Sequence, residues 1–258
     1  MTGARQPGHT RKPVARAVGA LPLVATIAGL TAGVVSAHET YESVQTGQGA
    51  AAVDAPVQAW MVAHRVAWLD TAATWFTDLG GKVGMPILAT VTVLALARWW
   101  RTWTPVVVML WATAGSLALT SVGKELTARA RPPAAQAVPP LETSASFPSG
   151  HTLNAALVSG VIAYLALLYV RSLRGRILTC MGLALFVGLI GLSRVYLGHH
   201  WLTDVLAGGA IGGAWALAVV LGHWLYVRLR TKDRAPTVRE VAQRHRDQGA
   251  TVTSEPAR

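Results

Sequence analysis

Long apolar runs broken by short polar turns dominate this chain. Six stretches, residues 17–37, 83–98, 105–123, 152–170, 177–193 and 203–226, are apolar almost throughout. A hydrocarbon core about 30 Å thick needs about 20 apolar residues per crossing helix. Each stretch therefore predicts a membrane span, with the second and fifth short. None carries Asp, Glu, Lys or Arg near its middle, where a charge costs about 2.5–3.5 kcal/mol on insertion scales. Between Val57 and Leu79 the pattern changes. Val57, Trp60, Met61, Trp68, Ala72, Trp75, Phe76 and Leu79 recur at helical spacing. That predicts one amphipathic helix lying in the outer interface or against the bundle, ended by Gly80-Gly81. The pattern as a whole predicts an all-α integral membrane protein, a six-transmembrane-helix bundle with an extracytoplasmic interfacial helix. Its membrane domain covers 17–226, flanked by a basic N-terminus (1–16) and a basic cytoplasmic tail (227–258). Both flanks lack a sustained apolar pattern and read as disordered. Residues 38–55, with their Gly, Ala and Gln, read as a loop.

Composition agrees with this picture. The chain is 52% hydrophobic and only 14% charged, against about 25% charged in soluble domains. Trp99, Trp100, Trp103, Trp201 and Trp224 fall near predicted span ends, as an aromatic belt requires. Seventeen of the 23 Lys and Arg fall on one side: Arg5 to Arg16, Arg98 and Arg101, Arg171 to Arg176, and the tail from Arg228. The positive-inside rule then puts both termini in the cytoplasm. The net charge of +11 suits anionic lipid headgroups better than nucleic acid, because the basic tail interleaves no aromatic residues for base stacking. The start also resembles a secretory signal ending at Val35-Ser36-Ala37. Its apolar run is longer than such signals carry, so an uncleaved anchor in the cell membrane is expected. A single cysteine, Cys180, excludes an intramolecular disulfide and any multi-cysteine metal site.

Three polar stretches stand at predicted span ends, all on the side opposite the basic flanks. They are KELTARARP (Lys124 to Pro132), PSGH (Pro148 to His151) and SRVYLGHHWLTD (Ser193 to Asp204). His200 and Asp204 are four apart, so on a helix they share one face. A carboxylate there fixes the imidazole tautomer and stabilises the imidazolium. The same spacing is common on helix surfaces, so the pair alone is weak. Pro148-Ser149-Gly150-His151 opens a span, where unpaired N–H groups favour an anion. Ser149 also suits simple N-capping, which gives His151 no task. Lys124 and Arg131 are seven apart and would share a face if the helix continues to Pro132. Arg129 then points elsewhere, toward solvent or headgroups. Cations at span ends often only snorkel, but these lie on the side otherwise poor in positive charge. Lys124, Arg131 and Arg194, with the Ser149 hydroxyl and Gly150 N–H, make a phosphate cage that needs no metal.

The order Lys-x6-Arg-Pro, Pro-Ser-Gly-His, Ser-Arg-x5-His-x3-Asp resembles the three-part signature of the type 2 phosphatidic acid phosphatase superfamily, across roughly residues 60–226. The matching positions are Lys124, Arg131, Pro132, Pro148, Ser149, Gly150, His151, Ser193, Arg194, His200 and Asp204. The resemblance implies a membrane lipid phosphatase without cofactor. His200 would attack phosphorus, Asp204 would hold its other nitrogen, and His151 would serve as acid and base. The lipid substrates it suggests are polyprenyl diphosphate, phosphatidic acid and phosphatidylglycerol phosphate. Three other classes compete. Vanadium-dependent haloperoxidases share the signature but are soluble. A lipid phosphotransferase would pass phosphate to an alcohol. A transporter or scaffold would retain the constellation without turnover.

Overall fold

The computed structural model describes residues 23–232, which are helical wherever they are regular. Eight α-helices follow in chain order: α1 (Leu23–Thr46), α2 (Asp54–Ala63), α3 (Ala67–Asp78), α4 (Gly84–Trp100), α5 (Thr104–Thr127), α6 (Gly150–Leu167), α7 (Leu173–Tyr196) and α8 (Leu202–Lys232). Four of them, α5 to α8, are long and apolar enough to cross a membrane; α4 is apolar but shorter. Much of the span predicted at 17–37 lies in α1, and its first residues lie outside those described. The terminal segments 1–16 and 233–258 lie outside them as well.

Sequence signals set several boundaries. Pro105 in the first turn of α5 costs no helical hydrogen bond. Ser172 caps α7 by accepting from Gly175 N–H at 3.1 Å. α6 is apolar on all sides because it is surrounded: Leu153, Leu157, Val161 and Leu165 are fully buried. Met85, Ala89 and Val93 of α4, Met109 and Ala112 of α5, and Ala216 and Val220 of α8 complete this core. The closest neighbours are α6 with α8 and α1 with α8. Small residues permit this: a Cβ on Gly208 would lie 2.7 Å from Ser149 O, and one on Gly212 would lie 2.3 Å from Leu153 O.

Four expectations are corrected. The segment predicted as a loop from 38 is helical to Thr46. Residues 38–46 contain neither Gly nor Pro, and α1 ends only at Gly47, whose φ is +67°. The amphipathic stretch 57–79 is two helices, not one. Tertiary contacts break it: Arg65 Nε donates to Tyr196 O at 2.8 Å, and Val66 N–H donates to the Tyr196 hydroxyl at 3.2 Å, with Val66 extended. Helix α5 does not continue to Pro132, because Ala128 adopts a left-handed conformation (φ 44°) directly after Thr127. Helix α8 continues past Tyr226 to Lys232. Of the tryptophans expected in an aromatic belt, Trp99 and Trp103 are exposed, whereas Trp224 is 4% exposed and packs inward. Cys180 is exposed on α7.

Candidate active site

The C-termini of α5 and α7 and the N-termini of α6 and α8 meet at one end of the bundle, where all three motifs converge. The 128–149 loop is stitched across them. Val138 N–H donates to Leu197 O at 2.9 Å, Ser146 N–H donates to Arg129 O at 2.8 Å, and Ser149 N–H donates to Asp204 O at 3.0 Å. Gly123 lets Pro148 ride close over α5, since a Cβ there would meet Pro148 Cδ at 2.6 Å.

His200 is 2% exposed and Asp204 fully buried. Their contact, Nδ1 to Oδ2, is 3.4 Å, longer than the roughly 2.7–2.9 Å of a tight charge-assisted bond. Ser146 explains the spacing. Its hydroxyl donates to the same Oδ2 and lies 3.5 Å from Nδ1. Trp201 N–H also donates to Oδ2, at 2.9 Å. That is the reach-back of an acidic residue in the first helical turn toward the cap, so one carboxylate both starts α8 and faces the imidazole. On the other side of the ring, Arg131 NH1 lies 3.3 Å from Nε2. A guanidinium can only donate, so Nε2 is the bare nitrogen and Nδ1 carries the proton. Burial lowers His200 from its ordinary value to about 4, against the opposing pull of Asp204.

Lys124 and Arg131 come together even though no helix joins them. Lys124 Nζ donates to Ser144 Oγ at 2.9 Å and to Ala145 O. Arg131 Nε donates to Ser144 O at 2.7 Å, and its NH2 donates to Ser144 Oγ at 3.2 Å. These two cations, Gly150, His151 and His200 line a groove of about 550 Å³. His151 sits beneath the turn after α3, its Nε2 3.3 Å from where a Cβ on Gly81 would stand. Away from the polar end, the groove runs between α4 and α5, walled by Met85, Val93, Leu94, Met109, Leu110 and Leu117. Leu94, Leu110 and Leu117 are exposed on the bundle's flank.

Ser149, Arg194 and Asp204 stand behind the groove wall rather than on it. Ser149 is fully buried and accepts from the Thr152 hydroxyl at 3.1 Å. Arg194, 2% exposed, pairs with Glu142 at 2.8 Å and leaves its Nε buried without a partner. Burial alone would raise the Glu142 carboxyl, but Arg194, Arg131 and His151 outweigh it and hold it at about 2. His199 is buried with Nε2 2.7 Å from Val138 O, outside the cage.

Arg129 was expected in solvent or among headgroups. Instead it binds Asp204 Oδ1 at 2.6 Å and Asp54 Oδ2 at 2.7 Å. The signal was present, since Arg129 shares the side poor in positive charge with Lys124 and Arg131. Asp54, Glu142, Ser144 and Ser146 lie outside the motifs, and no spacing singled them out.

Residues 105–228 match the PAP2 superfamily. Phosphatidylglycerophosphatase B of Bacillus subtilis is 36% identical over 149 residues, covering 57% of this chain and 72% of that protein. Lipid phosphate phosphatase delta of Arabidopsis thaliana is 38% identical over 93 residues, 34% of this chain and 20% of that protein. The crystal structure of a transmembrane PAP2-type phosphatidylglycerolphosphate phosphatase from Bacillus subtilis superposes with a TM-score of 0.65 at 29% identity, covering 72% of this chain and 93% of that one. With such relatives on both sequence and fold, the chain belongs to the PAP2 superfamily and is an enzyme of its lipid phosphatase kind.

Proposed function

We propose that this protein hydrolyses a phosphate or diphosphate carried on a membrane lipid, through a phosphohistidine on His200. The observation that carries this reading is the groove itself. A bare imidazole nitrogen, Lys124, Arg131 and His151 share its polar end, while its apolar walls run to the exposed apolar flank of the bundle. A headgroup phosphate fits the first part and an acyl or prenyl chain the second.

In the first half-reaction the His200 Nε2 lone pair attacks phosphorus and the bond to the lipid oxygen breaks. His151 donates a proton to that oxygen. Asp204 accepts from the Nδ1 proton and supports the imidazolium. In the second, His151 takes a proton from water, water oxygen bonds to phosphorus, and the P–N bond breaks to free inorganic phosphate. Lys124, Arg131 and Gly150 N–H stabilise the equatorial oxygens. Ser149 and Arg194 complete the cage from behind, the substrate anion replacing Glu142 as the partner of Arg194. Metal plays no part in these steps.

The candidate substrates are phosphatidylglycerol phosphate, phosphatidic acid and polyprenyl diphosphate. The first draws support from the name of the Bacillus subtilis relative. Six spans, cytoplasmic termini, an extracytoplasmic site and basic ends resting on anionic headgroups follow from the apolar pattern and the Lys/Arg asymmetry. Phosphate release by purified protein across those three lipids in detergent, with His200→Ala as blank, tests the reading. His200→Ala and His151→Ala are expected to abolish turnover while remaining folded. Full activity in both would overturn the mechanism.

A further inference from the structure

A buried ionic cluster stands behind the His200–Asp204 pair and includes a residue upstream of the family match. Asp54, the first residue of α2, is 4% exposed. It accepts from Thr203 N–H at 2.9 Å, from the Thr203 hydroxyl, and from Arg129 NH2 at 2.7 Å. The other arm of Arg129, NH1, reaches Asp204 Oδ1 at 2.6 Å and Thr203 Oγ1 at 2.8 Å. One guanidinium therefore bridges two buried carboxylates, one from α2 and one from α8.

Stability alone is a poor reason for such a cluster. Desolvating a buried ion pair commonly offsets its attraction, and two carboxylates on one cation leave negative charge in a dry place. The geometry offers a better one. Arg129 occupies Oδ1 of Asp204, while Trp201 N–H and the Ser146 hydroxyl occupy Oδ2, the oxygen facing His200 Nδ1. The carboxylate is gripped at both oxygens and cannot turn. A guanidinium fork is rigid, so fixing one arm fixes the other. Asp54 fixes the far arm.

We propose that Asp54, acting through Arg129, is a positioning residue that keeps Asp204 oriented toward His200. Asp54 also shares the guanidinium charge. Without it, the full positive charge bears on Asp204 and weakens the support that carboxylate gives to the imidazolium formed on attack. The inference rests on the reading of His200 as nucleophile and Asp204 as its orienting partner. It places part of the active machinery in the segment before residue 105.

The test uses the full chain purified in detergent, with phosphate release from phosphatidic acid and a melting temperature measured for every variant. Asp54→Asn is expected to lower kcat about tenfold or more with KM within about twofold, since a misplacement near 1 Å can cost about 100-fold. In an Asp204→Asn background the same change is expected to cause no further loss. A residue that merely ties α2 to the bundle would lower both backgrounds alike, and that result, or unchanged kcat in Asp54→Asn, overturns the proposal. If Asp54→Asn is not recovered folded, Arg129→Lys, which keeps the charge but not the fork, is measured the same way. Unchanged kcat there, or failure of both variants to fold, overturns it in favour of a structural tie. Activity in His200→Ala would instead sink the underlying reading, whatever Asp54→Asn does.

Discussion

A methyl group on Gly208 should slow this enzyme without removing any polar group. A Cβ there would stand 2.7 Å from Ser149 O. Ordinary contact begins at 3.4 Å, so α6 and α8 must part by about 0.7 Å, more than the ~0.5 Å within which a site holds its geometry. The obstacle is backbone, not the tip of a flexible side chain. Moreover, Ser149 N–H is bound to Asp204 O on the same α8 turn at 3.0 Å. The displacement therefore falls between the helix carrying His151 and the one beginning beside His200. Overpacking of this kind costs about 1–3 kcal/mol of stability, and a shift near 1 Å costs up to about 100-fold in rate. Gly208→Ala is expected to lower kcat by about 10- to 100-fold with a lower melting temperature. Gly213 supplies the control, since nothing lies within 4 Å of a Cβ placed there. Gly213→Ala should be neutral or slightly stabilising, as helical Ala is favoured over Gly by about 1 kcal/mol. Phosphate release and thermal melting of both variants decide the matter. Gly208→Ala with wild-type kcat and melting would refute the claim that tight α6–α8 contact sets the site.

Three further outcomes follow from the site. His200, the proposed nucleophile, must be unprotonated to attack, and burial lowers its value to about 4. The acid limb of kcat/KM common to two substrates of differing phosphate pKa should therefore lie below the ordinary imidazole range, with activity rising as pH passes upward through it. A common limb near 6.5 would contradict a buried His200 as nucleophile. Activity should persist in EDTA, and vanadate should inhibit competitively by occupying the Lys124–Arg131 end of the groove; loss of activity in EDTA that added divalent cation restores would refute a metal-free route.

The apolar helices α5 to α8 and the family's motifs were legible because both are local. Apolar length is set by the bilayer, and His200 with Asp204, or Pro148 through His151, are written within a few consecutive residues. Long-range contacts were not legible. The amphipathic stretch 57–79 has one period from end to end, yet Arg65 and Val66 are pulled out of the helix by Tyr196, 130 residues further along the chain. Lys124 and Arg131 were paired through a continuous helix. They meet instead through Ser144 on a crossing loop, after α5 stops at Ala128.

By itself, the order of residues determined that this chain is helical and rich in membrane-length apolar segments, and that it carries the three motifs of its family, because hydropathy and short-range spacing act over a few turns. Only the tertiary structure decided which charges neutralise which. It gave Arg194 to Glu142, and it bound Arg129 between Asp54 and Asp204. In a dry interior a charge takes whatever partner packing brings within reach, and that partner is chosen by the meeting of helices far apart in the chain.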